Sequence, residues 1–117
     1  VLYQSKALKI FITNILHDNE IPGFSASDQL RQAIYYLNEK NKKNYKENQL
    51  IDVAIANKPL NEDEKYVRTN LTSLEQLNLK KYIIEKVEHI NNNKTTGQHD
   101  ASKIASLIYN LYYSIWK

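Results

Sequence analysis

The chain has 117 residues, of which 42% are hydrophobic and 25% are charged, and its formal net charge is +3. This length and apolar content predict one domain with one modest core, a single helical domain over residues 1–117. Cysteine is absent, which excludes a disulfide framework, thiolate metal ligands and catalysis by a thiol.

The sequence also bears on location. No apolar run reaches the roughly 18 residues that a membrane-spanning helix needs, and no signal-peptide pattern precedes the first periodic segment. We therefore expect an intracellular protein, either nuclear or cytoplasmic. Methionine is absent, which indicates that Val1 is not an initiator and that the chain is an excised domain or a processed product.

The content of turn residues predicts an all-helical protein. The chain contains two glycines and two prolines, whereas a sheet protein needs turn residues at each hairpin. The dipeptides Asn-Gly and Asp-Gly, which favour two-residue hairpin turns, do not occur. The sequence therefore predicts an all-α fold, a single-domain bundle of five to six amphipathic helices.

Apolar residues recur at helical spacing from the start of the chain. The first predicted helix covers about residues 2–17. A second begins with Ser25 or Ser27 as its N-cap. The negative charge of Asp28 in the first turn stabilises the helix through the positive end of its dipole. This helix is predicted to bury Leu30, Ala33, Ile34 and Leu37.

The middle of the chain continues the helical pattern. A third predicted helix covers about residues 45–57 and ends before Pro59, which disfavours a helical residue in front of it. Asn61 is the predicted N-cap of a fourth helix. A fifth presents Leu79, Ile83, Val87 and Ile90. Residues 91–98 contain no large apolar side chain and are predicted to form a polar loop.

The terminal segment, residues 101–117, predicts a helix capped by Asp100 with an unusually wide apolar arc. One stripe contains Ile104, Leu107, Ile108, Leu111 and Ile115, and an adjacent one contains Ala105, Tyr109, Tyr112 and Trp116. One bundle face seldom hides so many apolar positions. We therefore predict a partner-binding groove formed by Tyr109, Tyr112 and Trp116 together with Ile83 and Val87.

Catalytic and metal-binding patterns were not found in the sequence. No serine lies in a glycine-flanked elbow, and two glycines are too few for a phosphate-cradling loop. Glu85 and His89 are one helical turn apart, but a helical metal site needs several such pairs. We interpret His17, His89 and His99 as solvated or locally bonded side chains. The sequence thus predicts no catalytic residue, no metal site and no cofactor.

A cluster of lysines offers a weaker functional interpretation. Lys40, Lys42, Lys43 and Lys46 surround Tyr45. Lysines neutralise phosphates and tyrosine stacks on bases, which is typical of sequence-independent nucleic-acid binding. The chain has only two arginines, the residue that reads guanine in the major groove. Any nucleic-acid binding is therefore expected to be weak and sensitive to salt.

Part of the chain resembles a known family. The stretch NQLIDVAIANKPLNEDEKYVRTNLTSLEQL, Asn48 to Leu77, and the terminal KIASLIYNLYYSIWK are similar to the TFIIS N-terminal (LW-type) domain of transcription elongation factors. The resemblance covers residues 48–117, with Leu111, Trp116 and Lys117 at the family's final positions. It implies a non-catalytic helical module that docks short, partly disordered peptides of other regulators.

These observations favour binding over catalysis. The first hypothesis is a helical protein–protein interaction module that docks a partner peptide or helix, with the role in transcription regulation that the resemblance implies. An alternative class is the small basic helical immunity protein of the bacteriocin-immunity type, which has a similar length and glycine content but no shared residue motif. A second alternative is a weak nucleic-acid-binding domain.

Overall fold

This computed structural model of the chain describes residues 8–16, 25–42, 44–46, 50–62 and 65–116, without the side chains of 41, 115 and 116. Within these ranges the elements, in chain order, are β1 (Ile10–Ile12), α1 (Ala26–Asn41), β2 (Val53–Asn57), α2 (Leu71–Glu75), β3 (Lys81–Glu85), β4 (Glu88–Asn91), β5 (Lys94–His99) and α3 (Ala101–Leu111). A π-helical turn, Tyr112–Trp116, follows α3. The prediction of an all-α bundle is therefore wrong, because the chain folds as a mixed α/β protein.

Two sheets organise the described residues. Strands β1, β2 and β3 form a parallel sheet in that order, with Phe11 opposite Ala54 and Ala54 opposite Tyr82. Helix α1 connects β1 to β2, and α2 lies between β2 and β3. Strands β4 and β5 form a separate antiparallel hairpin. The chain thus alternates strand and helix, as parallel sheets require.

The central strand β2 explains why the third predicted helix is wrong. All five of its residues, Val53–Asn57, are buried. A strand covered by helices on both faces carries apolar residues on both sides, so its sequence lacks the alternation that marks a half-exposed strand. The apolar run that we interpreted as a helix over residues 45–57 contains this strand. The fifth predicted helix is wrong as well, since its residues form β3 and β4.

The polar loop predicted over residues 91–98 is instead the hairpin of β4 and β5. Its two-residue turn consists of Asn92 and Asn93, whose φ angles are 51° and 62°. Left-handed conformations at both central positions give the turn that matches the twist of the flanking strands. Asparagine enters this region at a lower cost than other residues with a Cβ. The hairpin therefore forms without an Asn-Gly or Asp-Gly signal.

Two helix starts were predicted correctly. Ser25 caps α1, where its hydroxyl accepts from the Asp28 N–H at 3.2 Å and its own N–H donates to the Asp28 carboxylate at 3.0 Å. Asp100 caps α3 by accepting from Ser102 and Lys103. The cap predicted at Asn61 is wrong, because Asn70 caps α2.

The strands bury side chains on both faces of the parallel sheet. One core joins α1 and α2 to the strand residues Phe11, Ala54, Ala56, Tyr82 and Ile84. The other joins α3 to Ile10, Ile12, Val53, Ile55 and Ile83. Since alternate residues of a strand point to opposite faces, helices α1 and α2 cover one side of the sheet and α3 covers the other. This three-layer arrangement places α3 beside the edge strand β3.

The resemblance to the TFIIS N-terminal domain is wrong. Residues 48–117 contain the strands β2 to β5 as well as α2 and α3, whereas that family's domain is helical. The shared amphipathic spacing reflected burial on two sides of a sheet and not the face of a bundle helix. In the part of the chain that the structure describes, no helix combines the length and apolarity needed to cross a membrane.

Candidate functional site

The outer edge of β3 is unpaired by any strand in the described ranges. Toward β2, the Lys81 N–H donates to the Asp52 carbonyl at 3.3 Å, and the Glu85 carbonyl accepts from the Lys58 N–H at 2.8 Å. Consecutive strand residues direct their backbone groups to opposite sides. The N–H and C=O groups of Tyr82 and Ile84 therefore point away from β2. They form a row of donors and acceptors along the edge.

A groove lies between this edge and α3. Its first part is a cavity of about 400 Å³, lined from the strand side by Lys81, Tyr82, Ile83, Ile84 and Glu85 and from the helical side by Leu107, Asn110, Leu111 and Ser114. An adjoining cavity of about 390 Å³ shares Glu85, Leu107 and Asn110 and extends to Lys86, Val87, Ser102, Lys103 and Ser106. Each has the volume of a typical ligand site. We call the two together the β3–α3 groove.

The β3–α3 groove follows the side of α3 from Ser102 to Ser114, a distance of about 18 Å at the rise of a helix. An extended segment of five or six residues covers a similar length. Val87 and Leu111 are buried, and Ile83 and Leu107 are partly buried against the same core, so the floor is apolar. Exposed polar and charged residues form the rim.

Helix α3 is held in place through its first turn. The Asp100 N–H donates to the Val87 carbonyl at 2.7 Å, and the Val87 N–H donates to Asn57 Oδ1 at 3.0 Å. The adjacent His99 ring contacts the Thr13 carbonyl through Nε2 at 2.8 Å, and because a carbonyl only accepts, this nitrogen carries the proton. These bonds connect the start of α3 to the carboxyl ends of β1 and β2.

A buried carboxylate fixes the hairpin from which α3 departs. Glu88 is 3% exposed and accepts from the Tyr66 hydroxyl at 2.6 Å, from the Gly97 N–H at 2.9 Å and from the Thr95 hydroxyl. Burial opposes ionisation, but the hydrogen bonds from Thr95, Tyr66 and Gly97 outweigh it, so the pKa of Glu88 lies below its ordinary value. Burial and the bond to Glu88 raise the pKa of Tyr66. We call this set the Glu88 network.

Two of the three aromatic residues predicted to bind a partner, Tyr109 and Tyr112, are exposed at the end of the chain that carries α3. Tyr109 and Tyr112 are 62% and 55% exposed, and each ring contacts Tyr113, at centroid distances of 4.7 and 5.6 Å. The Tyr113 side chain also raises the pKa of Tyr109 through a hydrogen bond. Trp116 lies in the π-helical turn, and its side chain is outside the described residues.

The structure separates the five predicted partner-binding residues into two groups. Ile83 and Val87 line the β3–α3 groove, whereas Tyr109 and Tyr112 do not line it. None of the α3 residues that line the groove was predicted as a site residue; they are Ser102, Lys103, Ser106, Leu107, Asn110 and Leu111. A signal was present, because Leu107 and Leu111 share a helical stripe with Ile104. Partner binding by the aromatic residues stays a prediction.

The predicted nucleic-acid cluster lies at the end of α1. Lys40 and Lys42 are exposed, with Lys42 as the left-handed C-cap, and Lys46 is exposed nearby. Tyr45 is partly buried, and its backbone exchanges two hydrogen bonds with the Asn38 side chain. Lys43 lies outside the described residues. None of the described residues of the cluster lines the β3–α3 groove, and nucleic-acid binding there stays a prediction.

The predicted histidines do not converge. His89 is exposed, His99 contacts the Thr13 carbonyl, and His17 lies outside the described residues. Glu85 ends β3, while His89 belongs to β4. The two residues are therefore not one helical turn apart, as we expected from the sequence when we considered them as joint metal ligands. Among the residues that the structure describes, no three His, Asp or Glu side chains come together as metal ligands would.

Comparison with known proteins supports the fold. The crystal structure of a protein of the UPF0052 family from Bacillus halodurans is similar to this chain, with a TM-score of 0.71 and 19% sequence identity over 92% of this chain. The match spans 34% of that protein's chain, so this chain covers about a third of it. At this identity the likeness shows the fold alone. No protein-family model and no curated protein sequence matches the chain.

Proposed function

We propose that this chain is a non-catalytic protein-interaction domain that binds an extended peptide segment in the β3–α3 groove. The observation that carries the proposal is the outward-facing backbone of Tyr82 and Ile84 beside an apolar floor. An added strand satisfies such an edge with main-chain hydrogen bonds, while pockets beside it select alternate side chains. The floor formed by Ile83, Leu107 and Leu111 suits aliphatic side chains at every second position.

The charge of the rim favours an acidic partner. Lys81 lies at one end of the groove, Lys86 and Lys103 lie at the other, and Glu85 lies between them. The lysines exceed the carboxylates among these rim residues. Complementary charge steers association and suppresses partners of the wrong sign. We therefore expect the bound segment to be aliphatic in the middle and acidic at its ends.

A synthetic peptide tests the proposal. The probe is a fluorescein-labelled nonapeptide with valine and threonine alternating in the middle and two acidic residues at each end, measured by fluorescence anisotropy. N-methylation removes one peptide donor and blocks strand pairing on that side. Methylation of one alternate set of amides should abolish binding, whereas methylation of the other set should leave it unchanged. The sensitive set also reports whether the peptide lies parallel or antiparallel to β3.

Variants of the domain provide the matched controls. Asn110→Trp fills the groove and should weaken binding by about tenfold or more, whereas Ala105→Trp, on an exposed position of the same helix, should not. The probe with lysines in place of its acidic residues should bind about tenfold more weakly. Binding that ignores both methylation patterns, or no binding of the acidic probe, would overturn the proposal. Loss on Tyr109→Ala but not on Asn110→Trp would instead assign binding to the aromatic residues.

A further inference from the structure

Three lysines converge at the carboxyl edge of the parallel sheet. Lys58 follows β2, Lys86 follows β3, and Lys103 lies in the first turn of α3. All three line one small cavity of about 30 Å³, together with Leu60, Glu88 and Ile90. The segments that carry Lys58 and Lys86 are joined directly, because the Lys58 N–H donates to the Glu85 carbonyl at 2.8 Å. The start of α3 is joined to the same edge by the bond from the Asp100 N–H to the Val87 carbonyl at 2.7 Å. The convergence is therefore set by the backbone.

No ion pair to Lys58, Lys86 or Lys103 is formed among the residues that the structure describes. Lys9 and Lys80 instead form ion pairs with Asp52, at 3.8 and 3.5 Å, at the amino edge of the sheet. Glu88 lines the same cavity, but its two oxygens already accept from Tyr66, Thr95 and Gly97. The residues that line the cavity thus carry three positive charges against one committed carboxylate, a surplus of two. The carboxylates of Glu85 and Asp100 lie outside this lining.

The position in the fold strengthens the electrostatic argument. Open parallel α/β sheets bind ligands in the crevice outside the carboxyl ends of their strands. The amino end of α3 adds the positive pole of the helix dipole at the same place. Asp100 occupies the N–H groups of Ser102 and Lys103, so the lysine side chains and not the helix backbone are the groups available to a ligand.

We propose that Lys58, Lys86 and Lys103 form a binding site for a small phosphate-bearing anion. Ammonium groups bind phosphate as point charges and need no fixed geometry. The cavity of about 30 Å³ accommodates no more than part of a phosphoryl group, so the rest of the ligand lies over its mouth. The site overlaps the β3–α3 groove at Lys86 and Lys103. Lys58 does not line that groove, so a change at Lys58 distinguishes anion binding from peptide binding.

Inorganic pyrophosphate is the probe that tests the site. Its binding to the whole chain is measured by isothermal titration calorimetry at low salt, together with the rise in thermal midpoint that a ligand specific for the folded state produces. The triple variant Lys58→Gln, Lys86→Gln, Lys103→Gln should bind at least about tenfold more weakly, since each lost contact to phosphate removes charge attraction. Lys58→Gln alone should already weaken pyrophosphate binding while leaving peptide binding unchanged.

A charge-matched control separates a site from general attraction. The variant Lys40→Gln, Lys81→Gln, Lys94→Gln removes the same charge from exposed positions outside the cavity and should keep pyrophosphate affinity within about twofold. Equal weakening in both triple variants would overturn the proposal, as would unchanged affinity in the cavity variant. Failure of the unmodified chain to bind pyrophosphate at about 10 mM, the weak end of specific binding, would overturn it as well.

Discussion

The hydroxyl of Tyr66 donates a 2.6 Å hydrogen bond to the buried carboxylate of Glu88, and this contact connects the segment before α2 to the hairpin. Tyr66 is fully buried and also forms an isolated bridge with Leu16. The bond satisfies a charge that water does not reach, so its loss leaves the carboxylate with fewer donors. Stability of the hairpin, and through it the position of α3, depends on this pair.

Tyr66→Phe should lower the free energy of unfolding by about 1.5 to 3 kcal/mol, the range for hydrogen bonds to charged groups. Urea denaturation followed by circular dichroism measures the change. The matched control is Tyr35→Phe. Because Tyr35 is 61% exposed, removal of its hydroxyl should change the free energy of unfolding by less than about 0.5 kcal/mol. Equal effects of the two substitutions would show that the Tyr66 hydroxyl contributes nothing to Glu88.

Glu88 should also make stability depend on acid. Its pKa is lower in the folded chain than the ordinary value of about 4.3, so the unfolded state binds more protons as the pH falls. The contribution of Glu88 is therefore complete above about pH 4.3 and is lost as the pH falls through the folded pKa. Between these two pH limits, the free energy of unfolding obtained from denaturation curves should fall more steeply with decreasing pH for the unmodified chain than for Glu88→Gln. Identical slopes would contradict the assignment.

Gly97→Ala should destabilise the chain for two separable reasons. Gly97 has a φ of 70°, and a Cβ at this position would lie 2.6 Å from Cδ1 of Leu16. Left-handed backbone alone costs a residue with a Cβ roughly 1–2 kcal/mol, and the close approach adds to that. In a double-mutant cycle with Leu16→Ala, the steric part should disappear and the backbone part should remain. Full additivity of the two substitutions would rule out the contact.

The two sides of α3 should respond differently to truncation. Leu111 is 2% exposed in the core under the helix, so Leu111→Ala should cost about 2–5 kcal/mol. Tyr109→Ala removes an exposed ring and should change the free energy of unfolding by less than about 0.5 kcal/mol. Thermal and urea denaturation compare the two. Unfolding of the chain by Tyr109→Ala would show that the aromatic residues close the core.

The sequence predicted local features better than the arrangement of elements. The N-caps Ser25 and Asp100 were recognised because capping depends on a few neighbouring residues. Strand β2 was missed because burial on both faces removes the alternation by which strands are recognised. Leu50, Val53 and Ala54 also have the spacing of residues on one face of a helix, and this spacing led to the wrong prediction. Local spacing does not distinguish a helix in a bundle from a strand between two helical layers.

The candidate site was predicted in part. Ile83 and Val87 were named for a partner surface, and they do line the β3–α3 groove. Two of their proposed aromatic companions, Tyr109 and Tyr112, are exposed and do not line the groove, whereas Leu107 and Leu111 of the same helix pack against the sheet. The lysines at the carboxyl edge come from three separate segments, Lys58, Lys86 and Lys103. Only the parallel pairing of β2 with β3 brings the first two together, so no sequence window contains the signal.

The asparagines of the turns carry a consequence for the unfolded chain. Within the described residues, the left-handed positions other than Gly97 are Lys42, Asn78, Asn92 and Asn93. Glycine in such turns gives the unfolded chain many extra conformations, all of which folding must remove, whereas a residue with a Cβ gives fewer. The hairpin turn of this chain therefore loses less entropy on closing than a glycine turn would.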